Sequence, residues 1–314
     1  HKKRWVTVLY RPQSAKNMAS DLRFVMVLMI VVSSVWAMLA LPRLRQRLPK
    51  IYLIARSWWL MLAALCACYV IAKITDNSQH LHSRTYPYQW LLIAFFLLIG
   101  VRGGYEIKRL WHLPSKARLI SKLQARGLQP NTQPFIKTPC DSKRAYTRLK
   151  FLDLLFSSVF IALIISLIAL QQLTWQREQY GILFFVLFAS QFNDIAQYLC
   201  GRLLGHKIFK RGLAPTISPN KSIEGALFGS VLAAILATLL GIWLTSFSWW
   251  ICLLAAYGLA VSGIAGDLLE SAFKRQHGVK DTGTMLAGHG GVLDRIDSLL
   301  IGVPLFTLFY WLLG

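Results

Sequence analysis

Acid is scarce in this chain of 314 residues: 13 Asp and Glu stand against 35 Lys and Arg, a formal net charge of +22. An excess of that size brings nucleic acid to mind, but the cations fall mainly in loops between apolar segments, as cytoplasmic loops of membrane proteins do. Nucleic acid is therefore not an expected partner; lipid head groups and nucleotide phosphates are. Cysteine is also sparse. The five present form no Cys-x-x-Cys pair and no metal spacing, and Cys66, Cys68, Cys200 and Cys252 sit in or beside apolar runs. They read as packing residues without disulfides. No internal repeat is visible.

What the chain has in abundance is apolar length. It is 55% hydrophobic with a mean hydropathy of +0.47, and its apolar runs approach the roughly 20 residues that cross a bilayer. The expected fold is all-α, a polytopic integral membrane protein of about eight transmembrane helices. The expected spans are Phe24–Leu41, Trp58–Ile74, Trp90–Val101, Phe151–Leu173, Gly181–Cys200, Gly225–Leu244, Ile251–Ala265 and Leu299–Leu313. Trp90–Val101 is short, so it needs Tyr86–Gln89 and a snorkelling Arg102 to span.

Arg43, Arg45, Arg47, Lys50 and Arg56 make the first loop cytoplasmic, and residues 102–150, rich in Lys and Arg, are cytoplasmic by the same rule. A short amphipathic helix is expected near Leu110–Leu128, lying on anionic lipid. Eight spans put both ends of the chain outside, which the basic residues 1–23 contradict; a native start near Met18 would remove the conflict. The organisation expected is a basic N-terminal segment (1–23), N-terminal helices with a basic linker (24–150) and a catalytic membrane domain (151–314).

Seven of the 13 acids (Asp194, Glu224, Asp267, Glu270, Asp281, Asp294, Asp297) lie between 194 and 297. Charge at membrane helices is costly, so clustering there points to a site. Asp267 and Glu270 are three apart on one helix face, and Asp294 and Asp297 repeat the spacing at the start of the last helix. Bland readings exist: Asp267 or Glu270 could merely pair with Lys274 or Arg275, and Asp297 could cap a helix. Around them stand Lys274, Arg275, Lys280 and Arg295, with Gly278, Gly283, Gly288, Gly290 and Gly291, a plausible cradle for phosphates and a hard cation such as Mg²⁺.

The stretch from Ser271 to Asp297 resembles the signature of the phosphatidate cytidylyltransferase (CDP-diacylglycerol synthase) family. Ser271, Lys274, Arg275, Lys280, Asp281, Gly283, His289, Gly290, Gly291, Asp294, Arg295 and Asp297 fall at family positions. Ala287 stands where many members have Pro. Two further segments are similar: Asn193-Asp194-x-Ala196-x-Tyr198-x2-Gly201-Arg202, in which Gln197 displaces the tyrosine by one place, and Ser218-Pro219-Asn220-Lys221-Ser222-x-Glu224-Gly225. The likeness covers about residues 150–314.

The resemblance implies transfer of a cytidylyl group from CTP to phosphatidate or a related lipid phosphate, giving CDP-diacylglycerol and pyrophosphate in phospholipid synthesis. It implies an active site on the cytoplasmic side of a bacterial inner membrane. Asp267, Asp294, Asp194 and Asp281 are the expected ligands of Mg²⁺, with room for a second cation. Lys274, Arg275, Lys280 and Arg295 are expected to neutralise the phosphates, and Ser218, Lys221 and Glu224 to position CTP. His289 would donate to a phosphate oxygen or hold the turn.

Three rivals stand beside this reading: a related enzyme for another lipid phosphate, a silent lipid-binding relative, and a transporter with its charges near the bilayer midplane. The CDP-alcohol phosphotransferase pattern Asp-Gly-x2-Ala-Arg-x8-Gly-x3-Asp-x3-Asp is absent. Ser262-x3-Gly266 would pack helices within one chain or across a homodimer.

Overall fold

The computed structural model describes residues 20–73, 88–112, 139–205, 207–209, 211–215, 217–283 and 290–312. The first helices are α1 (Ser20–Ala40), α2 (Pro42–Arg47) and α3 (Pro49–Ala72). Pro42 and Pro49 open α2 and α3, where a missing N–H costs no intrahelical bond. α1 and α3 return as an antiparallel pair, with Trp36 stacked on Trp59 at 5.0 Å and Trp59 Nε1 donating to Ser33 Oγ at 2.9 Å. At the other end of the pair, buried Asp21 accepts hydrogen bonds from Tyr69 and Lys73.

Next come α4 (Trp90–His112), α5 (Pro139–Gln176) and α6 (Gly181–Leu204). A two-stranded antiparallel hairpin, β1 (Gly212–Ala214) and β2 (Ser218–Ser222), leads into α7 (Ile223–Leu244), α8 (Trp249–Gln276), the one-turn α9 (Leu293–Ile296) and α10 (Leu299–Leu312). Ser222 caps α7, its hydroxyl accepting the Gly225 N–H at 3.0 Å.

Seven of these helices are long and apolar enough to cross a membrane, and α10, at 14 residues, is the shorter eighth. The protein is thus a polytopic all-α membrane protein, close to the expected eight spans. One span differs in kind. Trp90–Val101 does not extend backwards; α4 continues through Arg102, Gly103 and Gly104 to His112, so it reaches full length at its C-terminal end. Gly103 permits this course, because a Cβ there would lie 2.5 Å from the Phe160 ring of α5. Most of the amphipathic helix expected at Leu110–Leu128 lies outside the described residues, and Leu110–His112 belong to α4.

Small residues set the closest helix approaches, as expected where lipid removes the hydrophobic drive between helices. A Cβ at Gly225 would lie 2.9 Å from Gly201 Cα, and one at Gly229 only 2.6 Å from Gln197 Cα, so α7 lies almost backbone to backbone on α6. Gly302 of α10 approaches Ser262 of α8, and Gly266 faces the Asp297 carbonyl. The Ser262/Gly266 face is therefore filled from within the chain. Strict up-and-down winding leaves two ends. Trp175, Arg177, Tyr180 and Lys73 meet at one, where Lys73 sits 4.4 Å above the Tyr180 ring and Arg177 donates to the Tyr310 carbonyl at 2.6 Å. The hairpin, the ends of α4, α6 and α8 and the start of α10 meet at the other, and the polar chemistry is there.

A pair of alanine substitutions separates packing from helix propensity. Gly229→Ala should lower the thermal midpoint in detergent by several degrees, from an overpacking cost of about 1–3 kcal/mol. Gly258→Ala, on the same bundle but with open space at its Cβ, should leave it unchanged or raise it.

Candidate functional site

The last turns of α8 carry the first half of the site. Asp267, Glu270 and Lys274 recur at helical spacing on one face, and Asp297 approaches that face from the segment between α9 and α10. Asp267, Glu270 and Asp297 each offer a carboxylate oxygen, and the three oxygens lie within 4.8 Å of one another. Lys221, from the end of β2, pairs with Asp267. Asp194 of α6 joins from the side, accepting the Ser298 hydroxyl at 3.1 Å. Its neighbour Asn193 is buried and donates to the Ala260 carbonyl at 3.0 Å, which fixes α6 against α8.

Lys274 bridges the two halves. Its ammonium lies 2.6 Å from Glu270 Oε2 and 2.8 Å from Asp294 Oδ1. The other Asp294 oxygen accepts three hydrogen bonds: from the Thr282 N–H at 2.9 Å, the Thr282 hydroxyl at 2.9 Å and the Gly291 N–H at 2.7 Å. Burial works against ionisation of Asp294, but Lys274 and these backbone donors win and hold its carboxyl below the ordinary carboxylate range. Gly290 has φ +82°, the left-handed region that glycine tolerates, and a side chain there would strike the Asp294 carboxylate. Asp294 is therefore the knot of the signature loop.

Asp297 is in the opposite electrostatic situation. Burial, followed by the neighbouring charge of Asp267, pushes its carboxyl up to about 7. Arg295 is half-buried beside the same group; burial draws its guanidinium down, opposed by the charges of Asp297, Asp294, Asp194 and Glu270. Five carboxylates (Asp194, Asp267, Glu270, Asp294, Asp297) thus gather with three cations (Lys221, Lys274, Arg295). Ionised, the cluster carries two surplus negative charges. Glu270 is fully buried and its Oε1 has no hydrogen-bond partner. A hard divalent cation fits both facts, and Asp267, Glu270 and Asp297 are the residues that could hold it.

The residues expected from sequence divide accordingly. Asp267, Asp194, Asp294, Lys274, Arg295 and Lys221 come together. Lys280 and Asp281 are exposed at the rim, so Asp281 stands apart from the three close carboxylates. Arg275 is exposed and donates to the Ile217 carbonyl at 3.3 Å and the Val279 carbonyl at 3.2 Å, tying the hairpin to the end of α8. Ser218 opens β2 opposite Ala214. Glu224 is buried at the start of α7, and its Oε1 accepts the Ile208 and Phe209 N–H groups at 3.0 and 2.7 Å, so one oxygen orders the loop before the hairpin. His289 lies outside the described residues.

Two residues enter that were not singled out as site members. Glu270 carried its signal in the three-residue spacing from Asp267. Glu106 of α4 had none nearby: it is 1% exposed and accepts the Val292 N–H, the Leu293 N–H and the Thr282 hydroxyl, each at 3.1 Å.

Fold and site together define a polytopic helical membrane protein with a carboxylate-rich, phosphate-suited centre at one end of its bundle. The chain belongs to the Cytidylyltransferase family, whose pattern it matches over residues 14–313. It is similar to the uncharacterized protein YnbB of Escherichia coli K12, 39% identical over 161 residues, 49% of this chain and 53% of that protein. It is similar also to the phosphatidate cytidylyltransferase of Helicobacter pylori 26695, 44% identical over 121 residues, 38% of this chain and 44% of that protein. With the phosphatidate cytidylyltransferase of Haemophilus influenzae it shares 37% identity over 237 residues, 71% of this chain and 78% of that one. The chain spans about half the length of the first two relatives.

The Lys274 bridge makes a clear demand on stability. Lys274→Met should destabilise the protein in detergent by about 3–5 kcal/mol, because Glu270 and Asp294 lose the cation between them. Adding Glu270→Gln to that variant should recover part of the loss in a thermal unfolding assay; no recovery would mean that the two carboxylates do not share the ammonium.

Proposed function

We propose that the chain is a CTP:phosphatidate cytidylyltransferase, an integral membrane enzyme that makes CDP-diacylglycerol and pyrophosphate. The observation that carries this reading is the meeting of Asp267, Glu270 and Asp297 within 4.8 Å beside Lys221, Lys274 and Arg295. The family and the phosphatidate cytidylyltransferase relatives supply the reaction class.

The chemistry asks little covalent help from the protein. An oxygen of the lipid phosphate forms a bond to the α-phosphorus of CTP while the bond to the pyrophosphate oxygen breaks, and pyrophosphate leaves. The nucleophile is a phosphate monoester whose second ionisation lies near about pH 6, so it is anionic at neutral pH without a strong general base. The obstacle is repulsion between two polyanions brought into line. Arg295, enclosed among the carboxylates, and Lys280 and Arg275, exposed at the rim, supply positive charge from two sides. Lys221 stands at the base of α7, where phosphate oxygens of the nucleotide would compete with Asp267 for its ammonium. Lys274 holds Glu270 and Asp294 in place rather than facing substrate. Mg²⁺ bound by Asp267, Glu270 and Asp297, with Asp194 adjacent, would screen the phosphates and polarise the α-phosphate. Ser218 and Glu224 order the hairpin and its approach loop, which would flank the cytidine.

The site shares its end of the bundle with Arg43, Arg45 and Arg47 of α2 and Arg56 in the second turn of α3. By the positive-inside rule that end faces the cytoplasm, in a bacterial inner membrane, where CTP is available and lipid enters sideways from the inner leaflet. A second reading keeps the chemistry and changes the lipid. Tyr198, one place later than in the family pattern, is 68% exposed on α6, while Gln197 is pressed against Gly229. This displaced, exposed tyrosine is the observation behind the reading with a lipid phosphate other than phosphatidate.

Purified protein in detergent with CTP, Mg²⁺ and phosphatidate should release pyrophosphate in a lipid-dependent manner. Asp297→Ala should reduce the rate by about 10³-fold or more, the scale expected when transition-state charge stabilisation is removed. Turnover with another lipid phosphate but not phosphatidate would select the second reading. No turnover with any lipid phosphate would overturn both.

A further inference from the structure

The signature segment is held from a part of the chain that resemblance to the family's motifs does not reach. Glu106 lies on α4, 176 residues before Thr282 and 187 before Leu293 in sequence. Its two oxygens divide the work: Oε1 accepts the Val292 N–H, and Oε2 accepts the Leu293 N–H and the Thr282 hydroxyl. Arg102, one helical turn earlier, brings its guanidinium to 3.6 Å of Oε1. Gly291 and Gly283 leave the space in which this carboxylate sits. A Cβ at Gly291 would strike both Glu106 Oε2 and the Thr282 hydroxyl, and one at Gly283 would lie 3.1 Å from Glu106 Oε1.

The contacts interlock with those of Asp294. Thr282 Oγ1 is 3.1 Å from Glu106 and 2.9 Å from Asp294, and its single proton can serve only one of them at a time. Asp294 ties Thr282 to Gly291, whereas Glu106 fixes Thr282, Val292 and Leu293 to a different helix. A buried carboxylate is expensive unless fully satisfied, and here the satisfaction comes from backbone donors immediately before Asp294, Arg295 and Asp297. Moving those donors moves the three charged residues that follow.

We propose that Glu106 is a positioning residue for cytidylyl transfer, acting from α4 to set where Asp294, Arg295 and Asp297 stand. This rests on the function proposed above. It also gives the N-terminal helices a direct part in the site: α4 supplies the outer anchor of the catalytic loop, and a chain without it would keep the signature residues but not their placement.

Glu106→Gln tests this with little change in volume. The glutamine keeps one carbonyl oxygen but turns its NH₂ toward at least one of the N–H or hydroxyl donors, so one anchor is lost. In detergent, hydrogen exchange in peptides covering 290–297 should speed up by about tenfold or more while peptides within α6 and α7 stay as protected as in the wild type. In the pyrophosphate-release assay, kcat per folded molecule should fall by about tenfold or more, with KM for CTP changed less than about threefold, since a misplacement on the order of 1 Å costs rate before binding. Thr282→Ser, which keeps the hydroxyl, should retain most of the wild-type kcat. A Glu106→Gln protein with kcat within twofold of wild type overturns the proposal. So does an activity loss that merely tracks the amount of folded protein, because a purely structural role lowers yield and leaves kcat per folded molecule unchanged. If the wild type itself transfers no cytidylyl group, the function proposed above fails, and the exchange result alone decides whether Glu106 sets this segment.

Discussion

A carboxylate enclosed by membrane helices is stable only when cations or hydrogen-bond donors face it, and most of this site's geometry follows from that requirement. Five carboxylates are drawn together by α6, α8, α9 and the residue after it, and the protein itself brings three cations. Lys274 compensates two carboxylates at once and Lys221 compensates one. Five carboxylates against three cations leave a surplus of negative charge around Asp267, Glu270 and Asp297, whose oxygens converge; burial and Asp267 push the Asp297 carboxyl up to about 7, and the buried Glu270 keeps an unpartnered oxygen. The surplus is the size of one divalent cation, and the substrates proposed are themselves anions that need such a cation.

The helix packing serves this charge cluster. Gly225 and Gly229 bring α7 against α6 so closely that the hairpin and Lys221 stand over the end of α8. Gly266 and Gly302 do the same for α8 and α10, which carries Asp297 and Ser298 to Asp267 and Asp194. Larger residues at these points would separate the helices, and the carboxylates with them. The opposite end of the bundle is sealed by Trp175, Tyr180 and Tyr310 with Lys73, which pairs with Asp21, and Arg177, which lies over the Tyr310 ring.

Much of this was legible in the residues. Apolar length announced the membrane helices, and of the seven acids clustered in a basic chain five come together at one end of the bundle. The three-residue spacing of Asp267 and Glu270 placed both on one face, as observed. Other features depend on contacts that no local pattern encodes. The length of α4 was hidden because Arg102, Glu106, Lys108 and Arg109 break its hydropathy, although these charges lie on a continuous helix. The partition between Asp294, tied to Lys274 and Thr282, and Asp297, turned to Asp267, cannot be read from two aspartates three residues apart. Glu106 is the extreme case: its partners are about 180 residues away, and an isolated glutamate at the end of an apolar helix looks like any solvated charge.

The measurement closest to the centre of this account is a titration of the purified protein with Mn²⁺ followed by electron paramagnetic resonance, in wild type and in Asp267→Asn and Asp297→Asn variants that keep their thermal midpoints. The account predicts at least one saturable site in the wild type, displaced by Mg²⁺ and weakened by about tenfold or more in each variant, the scale of losing a charged ligand. Saturable binding that is indifferent to both substitutions, or no saturable binding at all, would contradict it.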